Sequence, residues 1–373
     1  MGLCTIPHSE GGTLMAEAIP FRIEANWEGV CENGGAAVGD SIGPPRLLGA
    51  TMDPLQTLQH NILTPPVLAF LMGVVATQAK SDLRIPEEAY STLSIYLLLS
   101  IGLKGGAEIS VTPFAHLGLP LLAALAAGCL TPLIAFGVLR RLGRFDVANA
   151  AAIAAHYGSV SVVTFTATLT FLDAAKVPYE HFVPALVVVM EIPAIVIALM
   201  LAQRSEATAG GMRGAVREVI TGKSVVLLTG GLVIGALSGK PGLERVAPLF
   251  VAPFYGALTL FLLEMGMVAA RRVREVRRVG GFLLAFALGM PLIHGALGLL
   301  LARAAGLSLG GATVMATLTA SSSYIAAPAA VRIALPRANP SYYLTASLGI
   351  TFPFNLTLGI PIYYTLARLL YGT

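Results

Sequence analysis

Residues 156–165, HYGSVSVVTF, gather a histidine, a glycine, two serines and a threonine inside an apolar run, and a second polar island, TASSSYIAAPAAVR, ends at Arg332. Hydroxyls of Ser159, Ser161, Ser321, Ser322 and Ser323 can donate to an oxyanion or offer oxygen to a cation such as Na⁺. Each island holds a residue that weakens a helix, Gly158 in one and Pro328 in the other. A helix broken there leaves backbone N–H groups at the N-terminus of its second half, and their partial positive charge attracts a small anion without a formally charged side chain. Gly158, Ser159, Val160, Ser161, Ser321, Ser322, Ser323 and Tyr324 are therefore the expected substrate-binding residues.

His156 and Ser159 stand at i and i+3, on one helix face, so a nucleophile–base pair is a second chemistry to weigh. Side chains fixed to one continuous helix rarely reach that geometry, and the second island has no histidine. Binding accounts for both islands and catalysis for only one, so an intramembrane serine hydrolase ranks last and no catalytic residue is expected. A serine or threonine in a membrane helix often bonds only its own i−4 carbonyl. Two matched clusters argue for more than that.

Two carboxylates interrupt apolar runs, Glu191 in VVMEIPAIV and Glu264 in FLLEMGM. An unpaired carboxylate in hydrocarbon costs several kcal/mol, so each must face a partner, an ion or water. With Thr164 and His156 they form the set of ion-coupling candidates, and Na⁺ is expected near Ser161 and Ser322. Cys4, Cys31 and Cys129 have neither metal-ligand nor redox spacing. No cofactor is expected beyond Na⁺ as coupling ion.

The elements that position these groups must suit lipid. The 373 residues are 55% hydrophobic and 12% charged, with mean hydropathy +0.77, against roughly a quarter charged in soluble domains. The net charge of +4 resides mostly in short loops, which makes it a topology signal and not a nucleic-acid surface. From residue 62 onward the apolar segments are 63–79, 90–108, 115–139, 147–172, 182–202, 224–238, 248–269, 280–303, 311–333 and 341–367. Most approach the ~20 residues that cross the hydrocarbon core as helix, and only helices pair every backbone group within such a segment. Arg140, Arg141, Arg144, Arg213, Arg217 and the run RRVREVRR share one side, which predicts that side to be cytoplasmic and both termini outside.

LLLSIGL at 97–103 matches FLLEMGM at 261–267, PLI at 132–134 matches PLI at 291–293, and MEIP ending at Pro193 matches ITFP ending at Pro353. The offsets are similar, and each match joins segments whose numbers differ by five. Because five is odd, the second copy enters from the opposite side, which predicts an all-α integral membrane protein of ten transmembrane helices in two inverted five-helix repeats. The repeats are expected at 52–202 and 224–373, joined by a cytoplasmic linker at 203–223. Residues 1–51 are polar and expected to be disordered; Met52 resembles a natural start, so an over-extended reading frame is the favoured explanation and a genuine extramembrane tail the alternative.

The combination IGLKGG, the Gly-Ser-x-Ser of segment 4, MEIPA, MGM, ASSSYIAAPAAVR and LPRANPSYYLTASLGI resembles the sodium-dependent bicarbonate permeases (SbtA-like), over about residues 52–373. The resemblance implies core and gate domains, a homotrimer in a bacterial-type inner membrane, inward Na⁺ coupled to bicarbonate uptake by alternating access, and a PII-like regulatory protein on the cytoplasmic side. Where cyanobacterial members carry Asp followed by Ser-Gly-Pro, this chain has Tyr324 and Ala326-Ala327-Pro328. Another small anion or carboxylate, or Na⁺/H⁺ antiport, is the alternative.

Overall fold

A computed structural model describes residues 54–203, 212–273 and 275–372. The expectations for residues 1–51 lie outside the described residues, as does the first part of the linker, 204–211. Among the described residues every regular element is helical: α1 (Pro54–Ile62), α2 (Pro65–Gln78), α3 (Glu87–Ile109), α4 (Phe114–Arg141), α5 (Val147–Gly158), α6 (Val162–Ala174), α7 (Pro184–Gln203), α8 (Met212–Ile220), α9 (Lys223–Phe250), α10 (Phe254–Val273), α11 (Val276–Ala304), α12 (Leu309–Ala320), α13 (Ala326–Ala334) and α14 (Pro340–Tyr371).

Among them are eight spans long and apolar enough to cross a membrane, counting Val147–Ala174 as one; Pro65–Gln78 and Leu309–Ala320 are shorter apolar helices. Three elements differ from the hydropathy pattern. The linker contains α8, which packs on α7 and α13. Segment 224–238 continues as α9 to Phe250 across a kink at Gly239, whose φ of 61° suits a residue without Cβ. Segment 311–333 divides at residues 321–325.

Local sequence sets the boundaries. Asp146 caps α5 by accepting from the Asn149 amide at 2.9 Å, and Ser308 caps α12 by accepting from the Gly311 amide at 3.2 Å. Prolines open α2 and α14, where the missing N–H costs nothing. Past the ends of α2, α4 and α6 the chain turns through left-handed Lys80, Arg144 and Lys176, basic residues suited to the negative helix end.

Small residues set the packing. Gly102 of α3 faces Gly231 of α9, so a Cβ on Gly102 would lie 2.8 Å from the Gly231 Cα; a Cβ on Gly235 would strike the Leu103 carbonyl. In the α2–α10 crossing, Gly73 lies on the Leu263 carbonyl and Gly266 on that of Phe70. Close backbone approach replaces the hydrophobic drive that lipid cannot supply. α4 packs on α5 and α7, and α11 on α12 and α14. The most hydrophobic window of Val147–Ala174 is 100% buried, whereas that of α9 is 22% buried. The broken helix is therefore central and α9 peripheral.

Two loops tie distant helices together. Glu180, after α6, accepts from the Ser308 amide at 2.6 Å at the start of α12. Asn339, after α13, donates its amide to Asn149 Oδ1 at 2.7 Å at the start of α5.

Candidate functional site

α5 and α12 are each 12 residues long and end on serine caps of similar backbone, Ser159 (φ −84°, ψ 152°) and Ser321 (φ −75°, ψ 167°). The chain runs extended through Ser159–Ser161 before α6 begins. Its counterpart passes through Ser321–Ile325 before α13. Both interruptions lie within the protein, with Ser159, Ser161, Ser321, Ser322 and Ser323 all buried.

The two breaks are hydrogen-bonded to one another. The Ser323 amide donates to the His156 carbonyl at 2.8 Å and the Ser159 carbonyl at 3.1 Å, and the Ser161 amide donates to Ser321 Oγ at 2.9 Å. Each break thus supplies acceptors for amides that the other cannot pair within a helix. Ser161 Oγ accepts from the Thr164 amide at 3.2 Å and from its hydroxyl at 3.0 Å, capping α6. Ser323 Oγ accepts from the Ala327 amide at 3.3 Å in the first turn of α13, where Pro328 has no N–H to satisfy. Gly158 is enclosed by Pro132 and Ala194, and a Cβ there would lie 2.8 Å from the Pro132 side chain.

A cavity of ≈ 10 Å³ lies beside these breaks, lined by Val160, Ser161, Val162, Ser323, Tyr324 and Ile325 together with Glu191 of α7 and Ser224 of α9. That is room for about one water-sized particle. Val162 and Ile325, at the starts of α6 and α13, also border a neighbouring apolar crevice that includes Leu97, Leu258 and Phe261. The positive ends of α6 and α13 therefore adjoin the same space. The buried hydroxyl oxygen of Ser159 has no hydrogen-bond partner within the protein, and neither does Glu191 Oε2. Polar atoms buried this way carry a desolvation cost that a ligand would relieve.

Of the residues singled out from sequence, Val160, Ser161, Ser323, Tyr324 and Glu191 line the cavity; Gly158, Ser159, Thr164 and Ser321 lie in or next to the breaks without lining it, and three are engaged elsewhere. Ser322 turns from the cavity and donates to the Ser347 carbonyl of α14 at 3.3 Å, so of the expected Na⁺ pair only Ser161 borders it. His156 Nδ1 donates to the Ala152 carbonyl at 2.7 Å and its ring stacks on Tyr343 at 4.5 Å; its backbone carbonyl, not its ring, takes part in the crossing. No hydrogen bond joins His156 to Ser159 or Ser161. Glu264 is paired with Arg271 at 3.1 Å on α10 and does not border the cavity.

Other residues escaped notice in sequence. Asn355 Nδ2 donates to the Ala320 carbonyl at 2.9 Å, satisfying the last turn of α12, and is itself held by the Tyr363 hydroxyl at 2.8 Å. Its signal was an asparagine amid the apolar FPFNLTLG. Ser224 opens α9 and gave no signal of its own.

Among the described residues, eight membrane-length helical spans and two buried, mutually bonded helix breaks are consistent with a membrane transporter. The chain belongs to the Na⁺-dependent bicarbonate transporter superfamily, whose sequence profile matches residues 65–368. No curated protein matches it closely enough to count as a relative.

Proposed function

We propose that the protein is a Na⁺-dependent bicarbonate symporter working by alternating access, with the anion held between the breaks that follow α5 and α12. The positive ends of α6 and α13, about half a charge each, attract the anion. Ser159 Oγ, which lacks a partner, and the Tyr324 hydroxyl donate to it. The observation that carries this reading is the reciprocal bonding of the two breaks, Ser323 to Ser159 and Ser161 to Ser321.

Two inverted five-helix halves, 52–202 and 224–373, are part of the same proposal. The close glycine crossings of α2 with α10 and of α3 with α9 support it, because exchange of the two halves converts one crossing into the other. The capped 12-residue half helices α5 and α12 add support. In that arrangement the packed group of α4–α7 and α11–α14 moves against α2, α3, α9 and α10, and both termini face outward.

Labelled bicarbonate uptake into proteoliposomes, with and without an inward Na⁺ gradient, tests the proposal. Uptake driven by the gradient is expected; uptake indifferent to Na⁺, or none, overturns it. Displacement of label by another small anion or carboxylate, and not by bicarbonate, would reassign the substrate. Na⁺-driven proton movement independent of bicarbonate would reassign the reaction as antiport.

A further inference from the structure

α8 presents two faces to different surroundings. Steps of about 100° per residue place Ala215 and Val219 on one side, and both are buried where α8 packs on α7 and α13. The next strip around the helix holds Val216 and Ile220, and beyond it come Arg213, Arg217 and Thr221. These five residues line an open concavity of ≈ 400 Å³, within the range of about 300–1,000 Å³ typical of small-molecule sites. Ile220 is 48% exposed, and both arginines are exposed. Arg213 and Arg217 stand at i and i+4, so their guanidinium groups lie one turn apart on the same face. Glu218, the acidic residue of α8, is turned about 100° from Arg217, off this strip.

The position of α8 in the chain puts this surface at the membrane boundary. Only Thr221 and Gly222 separate it from α9, a membrane-length span on which Val226, Val233 and Ile234 are exposed. Lys223, the first residue of α9, is exposed as well and donates to Ser91 Oγ of α3 at 3.2 Å. A buried face, then an apolar strip, then basic residues is the order around a helix that lies in the interface. The apolar strip meets acyl chains, and the basic side chains reach the headgroups. We infer that the Arg213–Arg217 face of α8 is a binding site for an anionic phospholipid, with its phosphate between the two guanidinium groups and its acyl chains along Val216 and Ile220. Planar guanidinium donors match phosphate oxygens in pairs, and net negative charge on the headgroup adds attraction for each nearby basic residue. A zwitterionic lipid offers the same phosphate without that net charge and binds less well. The site is separate from the helix breaks, and the inference stands whatever solute is transported.

The test is thermal unfolding of the full-length protein in detergent, titrated with phosphatidylglycerol against phosphatidylcholine of the same acyl chains. Wild type is expected to melt higher with phosphatidylglycerol, with saturation. Arg213→Gln and Arg217→Gln, changes at exposed side chains, should each raise the half-saturating lipid fraction about fivefold, and the double variant about twenty- to thirtyfold. The control replaces two other exposed arginines, Arg141→Gln at the end of α4 with Arg337→Gln after α13, and should keep the wild-type midpoint. Half-saturation of the α8 double variant within about twofold of wild type overturns the inference. An equal shift in the control does so too, because it marks a general attraction of basic loops, and so does equal stabilisation by phosphatidylcholine. Inorganic phosphate, at matched ionic strength, is expected to stabilise less than phosphatidylglycerol. Stabilisation as large as the lipid gives also overturns the inference, because the site would then take a free anion.

Discussion

The Ser161 amide donates to Ser321 Oγ at 2.9 Å, and Ser321 Oγ donates onward to the Leu318 carbonyl at 2.8 Å. One side chain thus satisfies an amide of the first break and a carbonyl at the end of α12. Ser321→Ala leaves the buried Ser161 amide without its acceptor, while the Leu318 carbonyl keeps the Ser321 amide at 3.2 Å, at an expected cost of about 1–2 kcal/mol. The melting temperature should fall by a few degrees and bicarbonate uptake should slow. An unchanged melting temperature would show that the crossing contributes nothing to stability.

Asn355 performs the comparable task from α14, bonding the Ala320 carbonyl. Asn355→Leu should destabilise by about 1–3 kcal/mol, because it also strands the Tyr363 hydroxyl. Tyr363→Phe alone should cost less, about 1 kcal/mol. Since the two side chains share a bond, the double variant should fall short of the sum of the singles, which a thermal double-mutant cycle measures. Strict additivity would refute the coupling.

The glycine crossings predict a contrast between positions of similar sequence. Gly266→Ala and Gly235→Ala place a methyl on a facing carbonyl, and forcing those helices apart should cost about 1–3 kcal/mol or more. Gly230→Ala meets nothing within 4 Å and should be neutral or stabilising by up to about 1 kcal/mol through helix propensity. Size-exclusion profiles and melting temperatures of the three variants decide it.

Asp146 supplies a pH dependence just outside the membrane-spanning segment. Burial pulls its carboxyl upward, but donation from the Asn149 amide and side chain outweighs this and holds it below its ordinary 3.8. A depressed folded value means stability that is present above the unfolded value of about 3.9 and is lost as pH falls through the folded one. Asp146→Asn keeps a capping oxygen and removes the charge. The melting-temperature difference between wild type and variant should be small at pH 7 and shrink below about pH 4; a gap independent of pH would contradict the assignment. Asp146→Ala, which removes the cap, should cost about 1 kcal/mol at pH 7.

The value of pattern for the site is clearest at Gly158 and Pro328, whose weak helix propensity flagged both interrupted helices in sequence. The bounds were less legible. The run 311–333 is apolar throughout, and hydropathy does not register that Ser321–Ile325 leave helical geometry, because the broken backbone is satisfied by a distant part of the chain. The apolar run 224–238 is followed by the polar SGKPGLER, yet the helix continues through a kink at Gly239. The amphipathic α8 lay inside a segment read only as a linker.

Composition and spacing by themselves determined a helical multi-pass membrane protein with two buried polar islands, because hydrocarbon permits few other solutions for a chain so apolar. They also made Glu191 conspicuous, since a carboxylate in such a run needs a partner, an ion or water. Only the tertiary structure decided which polar residues meet. It turned Ser322 toward α14, gave Glu264 to Arg271, stacked His156 on Tyr343, and brought Ser224 to the cavity that Glu191 lines. Those pairings depend on how helices far apart in sequence cross. That geometry is fixed by close packing at a few glycines and by the need to pair each buried amide, neither of which a local pattern records.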